Sequence, residues 1–279
     1  MKTLLKSALI ASAIFATTAA SAATVTLKVS DLAFTGPNFN FAGTLANAQV
    51  AETAFLGSLN GLTVNEGFES LALQVNSNVG TNQNTSWVGS GALVAGKSTI
   101  STAVGTFVLE TAGQGSTSWT DSSNAANNLL MIESSSTGEF GRQSITAKKG
   151  HWLDSNDAKK VTWTLGSPLS ANFNAFGFYL SDSADIAGKL TLTFADLNTI
   201  DVDLETLLSN TTTNGNVRYV TVVSDSSILN GKFTFDVSAG NDGWGIDDIT
   251  VGTVPEPGSI LLMGLGLLGL GAARRRTKA

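Results

Sequence analysis

The chain has 279 residues, with 16 Lys and Arg against 22 Asp and Glu, one His and no Cys, which excludes disulfides, thiolate metal sites and thiol redox centres. Lys2, Lys6, Arg274, Arg275, Arg276 and Lys278 lie in the two end segments with only Glu256 against them, so the stretch between carries about −11 rather than the −6 of the whole chain. Nucleic acid needs a basic face and is excluded as a partner.

The chain begins as a secretory signal. Lys2 and Lys6 form a positive start, Leu9 to Ala20 is a short apolar run, and Ala20-Ser21-Ala22 is an A-x-A cleavage site. Residues 1–22 are therefore expected to be removed, leaving residues 23–253 as one ectodomain.

Val25, Leu27 and Val29 alternate with Thr24, Thr26 and Lys28, the pattern of a half-buried strand. Thr44 to Leu56 has a faint helical period through Leu45, Ala48 and Phe55, too weak to assign, and no long helix is expected. Phe68 to Val75 reads as a strand, and Asn76 to Gly91 as a polar loop around Trp87. Thr99 to Glu110 reads as a strand with a bulge or bend at Gly105. Ala112 to Asn128 is a second polar loop carrying Trp119, followed by a short strand over Leu129 to Glu133.

From Lys160 the period of two sharpens. Val161, Trp163 and Leu165 are followed by Phe176, Phe178 and Leu180, then Leu190, Leu192 and Phe194, then Ile200 and Val202. Val220 and Val222 come next, then Phe233, Phe235 and Val237, then Gly245 to Val251. Short alternating strands separated by turn residues predict an all-β fold, an antiparallel β-sandwich of jelly-roll type with solvated outer faces.

Candidate chemistry is sparse. His151 is the sole histidine and no Gly-x-Ser-x-Gly elbow is present, which argues against nucleophilic hydrolysis. Paired carboxylates for glycoside hydrolysis are set by space rather than spacing, so a glycan-active hydrolase stays as a lesser alternative. Asp154, Asn156 and Asp157 lack the spacing of a calcium loop and read as turn caps. Trp87, Trp119 and Trp152 lie in polar stretches. They either form a sugar-binding platform, making the chain a carbohydrate-binding module, or pin their loops down. Trp163 and Trp244 read as core.

The most specific interior stretch is Asn241 to Val251, NDGWGIDDITV. In a strand, Asp247 and Asp248 point to opposite faces, and a buried carboxylate needs a partner or a cation. The stretch resembles the closing strand of extracellular jelly-roll modules, MAM-like and carbohydrate-binding ones. In those modules an early Phe-Glu pair also meets a metal, and Phe68-Glu69 stands in the matching place here. The resemblance implies a structural calcium ion held by Glu69, Asp242, Asp247 and Asp248. The alternative is a turn followed by an edge strand with solvated acids.

Residues 254–279 have three parts in fixed order: Pro255-Glu256-Pro257, an uncharged Gly-rich apolar run over 258–273, and the Arg274–Arg276 cluster. As a helix the run is about 24 Å long, short of a hydrocarbon core of about 30 Å. The arginines favour the cytoplasmic side, placing the ectodomain outside. This tail resembles the PEP-CTERM sorting signal. The resemblance implies a Gram-negative bacterium and cleavage at the motif by an exosortase-type transpeptidase. It further implies transient anchoring in the inner membrane, then release to an exopolysaccharide-rich surface or matrix. Gly138 to Val251 likewise resembles a β-sandwich ectodomain recurrent among such proteins. The expected role is a non-enzymatic surface protein.

Overall fold

The computed structural model describes residues 23–36, 38–71, 98–111, 130–134, 138–139, 142–143, 150–155, 158–166, 173–182, 186–194, 197–203, 216–237 and 243–255. The expected signal peptide, the tail helix over 258–273, and the polar stretches holding Trp87 and Trp119 lie outside them.

The strands run β1 (Val25–Val29), β2 (Phe34–Thr35), β3 (Asn38–Phe39), then helix α1 (Phe41–Ser58), then β4 (Val64–Glu66), β5 (Thr99–Thr102), β6 (Gly105–Thr111), β7 (Met131–Ser134), β8 (Gly138–Glu139) and β9 (Arg142–Gln143). They continue with β10 (His151–Asp154), β11 (Lys160–Leu165), β12 (Phe173–Ser181), β13 (Ile186–Phe194), β14 (Thr199–Asp203), β15 (Val217–Val237) and β16 (Gly245–Gly252). The main sheet is antiparallel, in the order β5-β6-β11-β15-β12-β16-β10-β7, with β1 and β13 also on β15, β14 on β13 and β4 on β16.

The expected pair of strands around Val220 and Phe233 is one 21-residue strand. Its first part pairs with β1 and β12, and its second part with β11 and β13. The sheet therefore curls over itself, and the inner faces of the two halves meet. Trp163 of β11 stacks on Phe233 at 5.2 Å between ring centroids and meets Phe178 of β12 edge-on at 5.6 Å. Phe176 meets Phe233 edge-on at 5.4 Å. These edge-to-face and stacked pairs are each worth about 0.5–1.5 kcal/mol beyond area burial. Trp163 and Trp244 are fully buried in this core, as expected.

Three local readings change. Thr99 to Thr111 is a hairpin rather than one bent strand, with Gly105 at φ +126° where a side chain would strike the Thr164 carbonyl. Phe68 to Leu71 is a turn, not a strand start. Phe68 sits at φ +60°, rare for a bulky residue. Its ring is buried, its N–H donates to Glu66 Oε1 at 2.7 Å, and its carbonyl accepts Leu71 N–H at 2.9 Å.

The third change is α1, an 18-residue helix where none was assigned. Asn40 caps it by accepting the Gly43 N–H at 3.0 Å. Thr44, Ala48 and Phe55 are buried, with Phe41, Leu45 and Ala51 packed beside them, a spacing of three and four. They form a second cluster with Ala175, Tyr179, Val217 and Tyr219 on the outer face of β12 and β15. That outer face is therefore covered here, not solvated, and all nine residues of β12 are buried.

The fit under α1 depends on Gly177. A Cβ there would lie 2.6 Å from the Tyr219 hydroxyl and 2.9 Å from the Phe55 ring. Gly177→Ala is expected to cost about 1–3 kcal/mol, as overpacking does. Equilibrium unfolding in denaturant reads this, and an unchanged midpoint would mean that α1 is not seated on β12 as described.

Candidate functional site

The last described residues are bound into the domain. β16 pairs with β12 through Gly252. Asn60, just past α1, donates its N–H to the Thr253 carbonyl at 2.7 Å. Asn174 then holds Val254 at both backbone groups: Oδ1 accepts its N–H at 2.7 Å, and Nδ2 donates to its carbonyl at 2.9 Å. The Val254 side chain packs against the cluster under α1. The domain thus grips the chain up to the residue before Pro255. Glu256 and Pro257 lie outside the described residues.

A cavity of about 470 Å³ opens beside this junction, between Ala51, Ala54 and Phe55 of α1 and Thr26, Thr221 and Tyr219 of the sheet. Tyr179 donates its hydroxyl to Glu52 Oε2 at 2.7 Å. Burial first, and then this bond and the Glu52 charge, raise the Tyr179 phenol far above its ordinary value. Burial, with the charges of Glu52 and Asp248, does the same to Tyr219. Both phenols stay protonated at any physiological pH, and Tyr179 serves as a donor to Glu52, not as a base.

The Asp-Asp pair has a structural account. Gly177 pairs with Thr250 and Tyr179 with Asp247, so Asp248 and Ile249 together stand opposite Phe178: a β-bulge. The extra residue puts Ile246, Ile249 and Val251 all in the core, which strict alternation would forbid. Asp248 takes the left-handed conformation, φ +43°, and Asp247 Oδ1 accepts its N–H at 2.8 Å. Asp247 is buried and Asp248 partly exposed.

The other expected ligands are placed apart or unseen. Asp242 lies outside the described residues. Glu69 is exposed and accepts the His151 N–H at 2.9 Å. The carboxylate beside β16 is Glu66, which pairs in register with Ile249. It accepts N–H bonds from Phe68 and Ala103, both at 2.7 Å, tying this turn to the β5–β6 hairpin. The resemblance pointed to Glu69 because it follows Phe68; no local signal separates the two. Among the described residues, no three or more His, Asp or Glu side chains gather as a metal set.

His151 Nδ1 lies 3.1 Å from the Phe68 carbonyl, so the imidazole braces the strained turn. Trp152 corrects the reading of a loop tryptophan: it lies in β10, between β7 and β16, and is fully buried, its ring packed over Gly245 where a Cβ would lie 2.6 Å from it. It has no surface to offer a sugar. Asp154, read as a turn cap, is likewise a buried residue of β10; Asn156 and Asp157 lie outside the described residues.

Residues 253–276 match the family model of the PEP-CTERM protein-sorting motif. No curated protein matches the chain. Among solved structures, a glycoside hydrolase family 43 arabinoxylan arabinofuranohydrolase from Bacillus subtilis in complex with cellotetraose is similar over 46% of this chain and 25% of its own, at 13% identity and a TM-score of 0.29. At that score the likeness carries no argument.

The bulge makes its own prediction. A left-handed L-residue costs about 1–2 kcal/mol, which glycine avoids. Asp248→Gly is expected to fold with equal or higher thermal stability, and Asp248→Val to lose stability. If both substitutions are equally damaging, the Asp248 side chain is needed for more than the turn.

Proposed function

We propose that this chain is an exported surface protein, held at the inner membrane by its tail until an exosortase-type enzyme cuts at Pro255-Glu256-Pro257, and that it then serves without catalysis in an exopolysaccharide-rich surface layer. The observation that carries this reading is the sorting-motif match over 253–276, starting where the folded domain ends. Signals of this kind imply export and anchoring before processing. The acidic ectodomain suits a hydrated, cation-rich matrix. The paired and buried settings of His151 and Trp152 favour scaffolding over chemistry at those positions.

Mass spectrometry of surface and inner-membrane fractions from the producing bacterium tests the sorting step. The surface form is expected to lack the residues after the cleavage point. Glu256→Ala is expected to leave the full tail attached and the protein in the inner membrane. Surface protein with residues 254–279 intact, or protein confined to the cytoplasm, would sink the reading. Glycan binding lost in Trp87→Ala or Trp119→Ala would turn the role from matrix component to carbohydrate-binding module.

A structural calcium ion at the closing turn, taking Asp242 and Asp247, is a subordinate proposal. Calcium needs six to eight oxygens, so backbone carbonyls and water would have to complete the carboxylate set. A lower melting temperature in EDTA at matched ionic strength is expected if the ion is bound. An unchanged curve leaves the capped bulge as the whole reason for the acidic pair.

A further inference from the structure

Helix α1 turns an uncharged face outward. Its only ionisable residue is Glu52, whose carboxylate is bonded to Tyr179. Val50 is 70% exposed and Leu56 41%, with Ala46 and Ala54 exposed between them and Leu62, just past the helix, 73% exposed. A helix that faces water is normally polar on that side. Here the outward side carries no charge, and its exposed Val50, Ala54 and Leu56 are interspersed with exposed Asn47, Gln49 and Thr53, which blurs the helical period.

This face lies next to the point where the chain leaves the domain. Asn60 and Asn174 hold Thr253 and Val254, and Leu59 packs within 3.2 Å of where a Gly252 side chain would begin. Pro255 adds stiffness and restricts the residue before it. From Val254 to Gly258, where the apolar run starts, four residues reach at most about 14 Å. A bilayer that receives the run must lie within that distance of Val254, beside the C-terminal end of α1. The rest of the ectodomain is strongly acidic and is repelled by anionic headgroups, so the uncharged face is the one able to approach.

We propose that the outer face of α1, with Leu56 and Leu62, is a lipid-contact surface that rests in the headgroup layer while the tail is attached. The proposal depends on the tail entering the inner membrane. The contact is shallow and driven by apolar area, so it does not require anionic lipid or low salt.

The chain has no cysteine, so one introduced thiol carries a unique label. Full-length Val50→Cys and Leu62→Cys variants would each carry an environment-sensitive fluorophore, in phosphatidylcholine vesicles doped with nitroxide lipid. Lys232→Cys is the control. Lys232 is exposed and lies between the core residues' flanks on the half of the sandwich opposite α1. The labels at 50 and 62 are expected to be blue-shifted and quenched by the nitroxide, and the label at 232 neither. The pattern is expected to persist in high salt. Vesicle-bound protein whose three labels behave alike overturns the inference and leaves the anchoring intact. A full-length chain that does not float with vesicles overturns both.

Discussion

The fold depends on the continuity of β15. One strand of 21 residues serves both halves of the sheet, so the halves cannot separate without breaking it. Its first part shows Val220 and Val222 to the main core and Tyr219 and Val223 to α1. Its second part brings Phe233 and Phe235 under Trp163 and Trp244. The aromatic cluster fixes the spacing of the halves, and the helix covers Ala175, Tyr179, Val217 and Tyr219 on the outer face of β12 and β15.

What could be read from sequence followed the period of two. The strands from Lys160 onward, the antiparallel arrangement, and burial of Trp163 and Trp244 were all legible, because alternate residues meet different surroundings. Legibility failed wherever both sides met the same surroundings. Helix α1 mixes Val50, Ala54 and Leu56 with Asn47, Gln49 and Thr53 on its exposed side, so its spacing of three and four had little contrast to show it. Strand β12 was legible through Phe176, Phe178 and Leu180, but the period did not show that its other face, with Ala175 and Tyr179, is covered as well. Trp152 looked exposed because its neighbours in sequence are polar, whereas its strand is interior to the sheet.

The acidic pair in β16 shows a different limit. Two adjacent aspartates before a core isoleucine carry the same composition whether they bind a cation or build a bulge. The bulge itself rests on one hydrogen bond and one backbone angle, neither of which leaves a mark on spacing. Glu66 and Glu69 pose the same problem: the buried one is chosen by the amides that converge on it, Phe68 from the same turn and Ala103 from a hairpin far along the chain. The tail was the opposite case. Its parts are read in linear order, so its identity was legible without any fold, and the fold adds only how tightly its root is held.

The position of that root has a mechanical consequence. β16 is not at an edge: β12 lies on one side and β10 and β4 on the other. A pull on the tail, directed along the strand, loads the flanking hydrogen bonds together in shear rather than one after another as in unzipping. Individually such bonds are worth only about 0.5–1.5 kcal/mol, but sharing the load makes the strand hard to extract. Traction on the residues that follow Val254 would be borne by the neighbouring strands together rather than by β16 alone.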